Sequence, residues 1–205
     1  MSRTAHAFRR TVIASAASTL FLVPLTGCSS SGAAEPPATA RVSDSSADGA
    51  TEPAERPKAP APAQVTIPSI GVTSELMRLG LNADGTVEVP PAEKGMTAGW
   101  YAGGAVPGEP GAAVLIGHND TRFGKAVFHD LKKIAKGAAV TVLDGSGRKT
   151  HFTVTGTETV NKNSFPTQKV YGATGERVLR LVTCDGSFDA DGHPVDNLIV
   201  YAKLR

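Results

Sequence analysis

From Gln64 to Arg205 the apolar residues arrive in short bursts, each cut off by glycine, proline or a polar turn. Bursts of this length suit β-strands better than core helices. "QVTIPSIGV" opens with alternation, and Pro68 marks an edge or a strand end. "GTVEVP" (Gly85–Pro90) reads as a short strand behind the turn "NADG". "AAVLIGH" (Ala112–His118) is a continuous apolar run, hence a buried strand. "AAVTVLDGSGRKTHFTVTGTETV" reads as a hairpin that turns at "DGSG". "RVLRLVTC" and "NLIVYAKL" are the last strands. One segment has helical spacing: Val127, Leu131 and Ile134 in "KAVFHDLKKIAKG", with Gly137 as its stop. Many short strands and one short helix predict an all-β domain, closed as a barrel or a sandwich.

Composition agrees. Only 5% of the 205 residues are aromatic, against 22 glycines and 14 prolines, which favours a loop-rich β architecture over a helical bundle. The net charge of +2 sets up no field that would draw nucleic acid, so no nucleic-acid partner is expected.

The N-terminus has a different character. Arg3, Arg9 and Arg10 precede the uncharged run "TVIASAASTLFLVPLT" (Thr11–Thr26), the pattern of a secretory leader. The run is short for a membrane span, which takes about 20 apolar residues. It ends in "LTGC", where small residues before Cys28 resemble a bacterial lipobox. Acylation of Cys28 would anchor the chain at about 0.8 kcal/mol per buried methylene. A signal-anchor and ordinary cleavage are the alternatives, and all three put the domain outside the cytoplasm. Residues 1–28 are thus read as the leader. Residues 29–63 have a single β-branched aliphatic residue, Val42, and no aromatics, and are read as a disordered Pro/Ala/Ser-rich tether. Fully extended it would reach on the order of 100 Å. The folded domain is expected over residues 64–205.

Two cysteines and five histidines carry the chemistry. With Cys28 a lipidation candidate on a tether, a disulfide to Cys184 is a poor expectation. Cys184 ends an apolar strand and precedes the polar loop "DGSFDADG". Such a strand end fixes a sulfur and leaves it accessible, as a nucleophile requires. The competing reading is a small buried hydrophobe. A free thiol near pKa 8.5 needs a partner to react at neutral pH. His118 also ends an apolar strand and faces a polar stretch, "HNDTRFG", so its placement matches that of Cys184. Asp120 could orient it or simply form a turn. His129 falls in the predicted helix, His151 on the outer face of the hairpin, and His193 in the loop after Cys184, within reach of it. Trp100 and Tyr101 are core aromatics or a pocket wall. The histidines and cysteines have no metal-ligand spacing, and no cofactor is expected.

At this point "LVTC" resembles the TLxTC signature of sortases, the cysteine transpeptidases of Gram-positive cell surfaces, and "IGHND" resembles their histidine segment. "IPSIGV", "LGLNADGTVEVPP", "AGWYAGGAVPGEPGAAVLIGH", "AVFHDL" and "NSFPTQKVYG" resemble the class E/F sortases of actinobacteria, class F most of all. The resemblance covers Val65 to Leu204. It implies the sortase eight-stranded β-barrel with one or two short helices. It implies that Cys184 attacks an LPxTG-like sorting signal of a secreted protein and that His118 protonates the leaving amine. The acyl group would then pass from a thioester to a cell-wall amine or to water. Location at the cell surface follows from the same resemblance, with the N-terminal leader as the expected membrane anchor.

Sortases carry a third residue, an arginine on the strand after the cysteine loop. The present sequence reads "HPVDNLIVYA" there and puts Val195, or Asn197 on a different loop count, where the cation is expected. Arg180, four residues before Cys184 and on the same strand face, is the candidate substitute for the catalytic arginine. Asn197 is the candidate neutral donor that contacts substrate. If neither serves, the alternative is a degenerate, non-catalytic lipoprotein that binds sorting peptides.

Overall fold

A computed structural model describes residues 59–190 and 192–205. The leader, Cys28 and the tether up to residue 58 lie outside them. The described residues form ten strands: β1 (Pro62–Ile67), β2 (Val72–Leu79), β3 (Ala98–Tyr101), β4 (Gly111–Ile116), β5 (Asp120–Thr121), β6 (Gly124–Lys125), β7 (Ala139–Asp144), β8 (Lys149–Asn161), β9 (Arg177–Phe188) and β10 (Pro194–Leu204). Eight of them close a barrel in the order β1-β2-β3-β4-β9-β10-β8-β7, and β5-β6 is a separate small hairpin. The expected eight-stranded barrel is therefore the observed fold. Closure leaves the barrel without an edge strand.

Alternation within the strands sorts the side chains onto two faces. Leu179 and Leu181 of β9, Leu198 and Val200 of β10, and Ala113 and Leu115 of β4 fill the barrel with Phe128 and Phe152. Val182, Ile199, Val114 and Ile116 face outward, into a second apolar cluster. The α-helix α1 (Thr167–Tyr171) covers this outer cluster with Val170. Strands used on both faces read as continuous apolar runs, which is why "VLRLV" and "AAVLI" show no clean alternation. Among the described residues no helix is long and apolar enough to cross a membrane.

The structure corrects two sequence expectations. The predicted helix over Lys125–Gly137 is instead a chain of tight turns, with a 3-10 turn only at Leu131–Lys133. Its amides bond three residues back: His129 to Ala126, Leu131 to Phe128, Ile134 to Leu131. Val127, Phe128, Leu131 and Ile134 are all buried, so the 3.6-type spacing recorded burial rather than α-helix. Tertiary bonds decide the matter: the amides of Ala126, Val127 and Phe128 donate to the carbonyls of Asn119, Gly95 and His118. The second correction is "GTVEVP", which forms only a bridge between Leu81 and Val87. The hairpin at "DGSG" forms as read, as β7 and β8.

Candidate active site

β4 and β9 run parallel and adjacent, with Ile116 level with Val182. Cys184 stands two residues further along β9, and His118 two residues beyond Ile116, just past the end of β4. β10 runs antiparallel to β9 and sets Asn197 directly opposite Cys184. β8 follows and sets Val160 opposite Asn197. His118, Cys184, Asn197 and Val160 thus form one row across four strands, on the outer face. At about 4.8 Å between neighbouring strands, each member of the row is within side-chain reach of the next.

His118 is fixed from two sides. Its Nε2 lies 2.6 Å from the carbonyl oxygen of Pro90. A carbonyl only accepts, so Nε2 carries the proton and Nδ1 is left as the atom that gains or loses one. The His118 carbonyl accepts from the Phe128 amide at 2.9 Å, and Phe128 is fully buried in the barrel. Gly117, just before it, has no room for a side chain: a Cβ there would lie 2.6 Å from Val127 and Phe128. The core therefore sets the height at which His118 emerges. Asp120 does not orient His118; its carboxylate pairs at 3.0 Å with His129 Nδ1 instead. This pair ties β5 back to the turns after β6.

Cys184 is a free, half-buried thiol. A cavity of about 440 Å³ joins it to His118, Arg122, Lys162, Phe188 and His193. His193 thus reaches the site, as its loop position suggests, while His151 is exposed on the hairpin. A second groove of about 580 Å³ lies beside it, walled by Tyr101, Phe165, Tyr171, Ile116, Val182 and Asn197. Tyr101 and Tyr171 meet edge to face at 5.6 Å, and Phe165 lies 6.0 Å from Tyr171. Burial pushes the Tyr171 phenol up to about 12, so it stays neutral. The two neighbouring aromatics divide: Tyr101 lines this groove, whereas Trp100 is buried in the core with its indole N–H on the Ala105 carbonyl.

Arg180 shares the outer face with Cys184, as the spacing predicts, but not its cavity. Its guanidinium lies over the Tyr201 ring, 4.8 Å from the centroid, and donates to the carbonyls of Leu179 and Lys169. Four residues of strand put it roughly 13 Å from Cys184 along β9. Burial lowers its pKa, opposed by Tyr201 and Glu176. In this position it holds the backbone of α1 against the barrel. Val195 supplies no cation, and Asn197 stands in the row itself.

Sequence reading missed the cations that do line the cavity. Arg122 pairs with Glu93 and lies 4.8 Å over the Phe123 ring. Lys162 lines both the cavity and the groove and takes part in no ion pair among the described residues. Neither had a local signal. Arg122 sits in the polar run after His118, but Lys162 needs the β8-β10-β9 register to come near Cys184.

Residues 65–205 match the sortase domain family. The chain belongs to the sortase family. Solved sortases share its fold at low identity. Sortase C-1 from Actinomyces oris matches at 22% identity over 70% of this chain and 73% of that one, with a TM-score of 0.55. A lid mutant of sortase A from Corynebacterium diphtheriae matches at 18% identity, over 71% and 70%, with a TM-score of 0.56. Sortase A from Listeria monocytogenes matches at 20% identity, over 70% and 86%, with a TM-score of 0.54. No curated protein matches the chain. In this sortase domain Cys184 and Asn197 occupy neighbouring strands, His118 lies just past the end of β4, and Lys162, just past the end of β8, lines the same cavity as Cys184.

Proposed function

We propose that the domain is a cysteine transpeptidase that cleaves an LPxTG-like sorting signal and transfers the acyl group to an amine or to water. The row that sets His118 and Cys184 at one level of adjacent strands carries this reading. The Cys184 thiolate attacks the carbonyl carbon before the scissile bond. The C–S bond forms and the carbonyl π-pair moves onto oxygen. As that pair returns, the C–N bond breaks and the leaving nitrogen takes a proton from His118 Nδ1. A thioester on Cys184 and a free amine result. Pro90 contributes by holding Nε2–H, which leaves Nδ1 for the proton transfer. Asn197, opposite Cys184, is placed to donate its side-chain N–H to the substrate carbonyl.

The groove beside the row suits the recognition part of the signal. Its apolar wall of Tyr101, Tyr171 and Phe165 fits an apolar side chain, and it opens toward Cys184 past Asn197. Arg180 supports the reading as the brace of α1, which supplies one wall of the groove.

The deciding experiment is trapping. The purified protein is incubated with LPxTG-type peptides, and the Cys184 peptide is examined by mass spectrometry. An acyl adduct absent in Cys184→Ala and slow to form in His118→Ala is expected. Wild type without an adduct across a peptide panel would favour the non-catalytic peptide-binding reading, which the lack of a cation at Val195 and Asn197 otherwise supports. The secretory leader and tether fit an enzyme held at the cell surface. Palmitate labelling that is lost in Cys28→Ser would establish the lipid anchor.

A further inference from the structure

We propose that Lys162 supplies the positive charge that meets the substrate oxyanion at Cys184. The proposal rests on the reading of Cys184 as the nucleophile.

Attack by a thiolate on a peptide carbonyl puts a full negative charge on oxygen. Fixed donors or cations aimed at that oxygen are worth most in a partly dry site. Asn197 offers a dipole but no charge. The other cations of this face are committed elsewhere. Arg122 is held by Glu93, Lys169 by Glu158, and Arg180 by the Tyr201 ring and the Lys169 carbonyl. Lys162 has no acidic partner among the described residues.

The register brings it to the site. Cys184 faces Asn197, and Asn197 faces Val160. Val160 is therefore two strands, about 10 Å, from Cys184, with its side chain on the same outer face. Lys162 follows two residues later, in the turn that leaves β8. A lysine carries its charge on a flexible four-carbon stem and can span what remains. The cavities give the same answer independently. Lys162 is the basic residue shared by the Cys184–His118 cavity and the aromatic groove. A peptide lying in the groove with its carbonyl over Cys184 has to pass it. Lys162 is also exposed, so its substitution does not threaten the fold.

The chemistry assigns it one act. While the C–S bond is forming, the ammonium donates a hydrogen bond to the carbonyl oxygen that takes up the electron pair. It keeps its proton throughout; the proton on the leaving amine comes from His118. An arginine at the same place could do the same work, and a methionine of similar length could not.

Two measurements on the full chain test this. The first needs no substrate. Cys184 is alkylated with iodoacetate, an anion, and with iodoacetamide, which is neutral, and the Cys184 peptide is quantified by mass. Both reagents need the thiolate, so their rate ratio reports the charge beside the sulfur rather than its ionisation. Lys162→Met should lower the ratio about threefold or more at low salt, and Lys162→Arg should keep it. The second uses an LPxTG-type peptide that acylates wild type. Lys162→Met should lower kcat about tenfold to a hundredfold with KM little changed, and Lys162→Arg should restore most of it. An unchanged alkylation ratio, or acylation by Lys162→Met at the wild-type rate, overturns the role of Lys162 and leaves the transpeptidase reading standing. A wild type that alkylates normally but acylates with no peptide overturns the transpeptidase reading, and the catalytic role of Lys162 with it.

Discussion

Asn197 stands directly opposite Cys184 across the β9–β10 ladder, on the same outer face. A short neutral donor therefore stands beside the thiol, at one of the two positions, Val195 or Asn197, where the sortase resemblance leads one to expect a guanidinium. A side-chain N–H at this position can still reach the oxygen of a carbonyl seated over Cys184. Asn197→Ala should slow thioester formation about tenfold to a hundredfold, as loss of one oxyanion donor does elsewhere. Iodoacetamide labelling of Cys184 should be unaffected. Stopped acylation assays and the labelling rate together separate a lost donor from a damaged thiol.

Gly117 links the barrel core to His118. A methyl group there would meet Val127 and Phe128 at 2.6 Å. Gly117→Ala should cost about 1–3 kcal/mol of stability, as overpacking does, and should reduce acylation because His118 is displaced with the strand end. Gly156 on β8 has open space around it, so Gly156→Ala is the control and should change neither. Denaturant unfolding and the acylation rate, measured on both variants, check the pair of outcomes.

The Tyr171 ring leans on Tyr101 at 5.6 Å and walls the groove. Aromatic pairs of this kind contribute about 0.5–1.5 kcal/mol beyond area burial. Tyr171→Ala should raise KM for a sorting peptide about tenfold while kcat changes little, because the groove binds peptide away from the reacting atoms. A fall confined to kcat would place the groove's role elsewhere.

Asp144 closes the β7–β8 turn. The Ser146 hydroxyl donates to it at 2.6 Å, and Arg148 donates from its side chain and its amide at 3.0 Å. These bonds, the Ser146 hydroxyl first and then Arg148, outweigh burial and lower the carboxyl from its ordinary 3.8 to about 2. A folded pKa below the unfolded one means the stabilisation is complete above about pH 4. It is lost as pH falls through about 2. Asp144→Asn should melt below wild type at neutral pH, and the gap should close between about pH 4 and pH 2. Thermal melts across that range read it directly.

Much of the site was visible in the linear sequence because its residues sit where apolar runs stop. His118 lies just past the end of β4. Cys184 closes the apolar run of β9, although the strand itself continues to Phe188, against the expectation that it ends there. The end of an apolar run is a local event that flanking glycines and polar residues record. The hairpin at "DGSG" was legible for the same reason. The false helix at Lys125–Gly137 shows the limit. Its spacing is real, but three amides there are claimed by Asn119, Gly95 and His118, partners distant in sequence. Arg180 shows a second limit. Parity put it on the correct face, yet the choice between Cys184 and Tyr201 depended on a ring from another strand.

The sequence by itself determined most of the barrel strands, the ends of the apolar runs that carry Cys184 and His118, and the sortase resemblance. The tertiary structure alone decided that β4 lies parallel to β9 and that β10 and β8 follow in order. That order makes a row of His118, Cys184, Asn197 and Val160, and it brings Lys162 to the site while tying Arg180 elsewhere. Strand ends are written in local residues, whereas strand neighbours are chosen by which apolar faces close a barrel together. Pairings between segments far apart in the chain leave no mark at either residue.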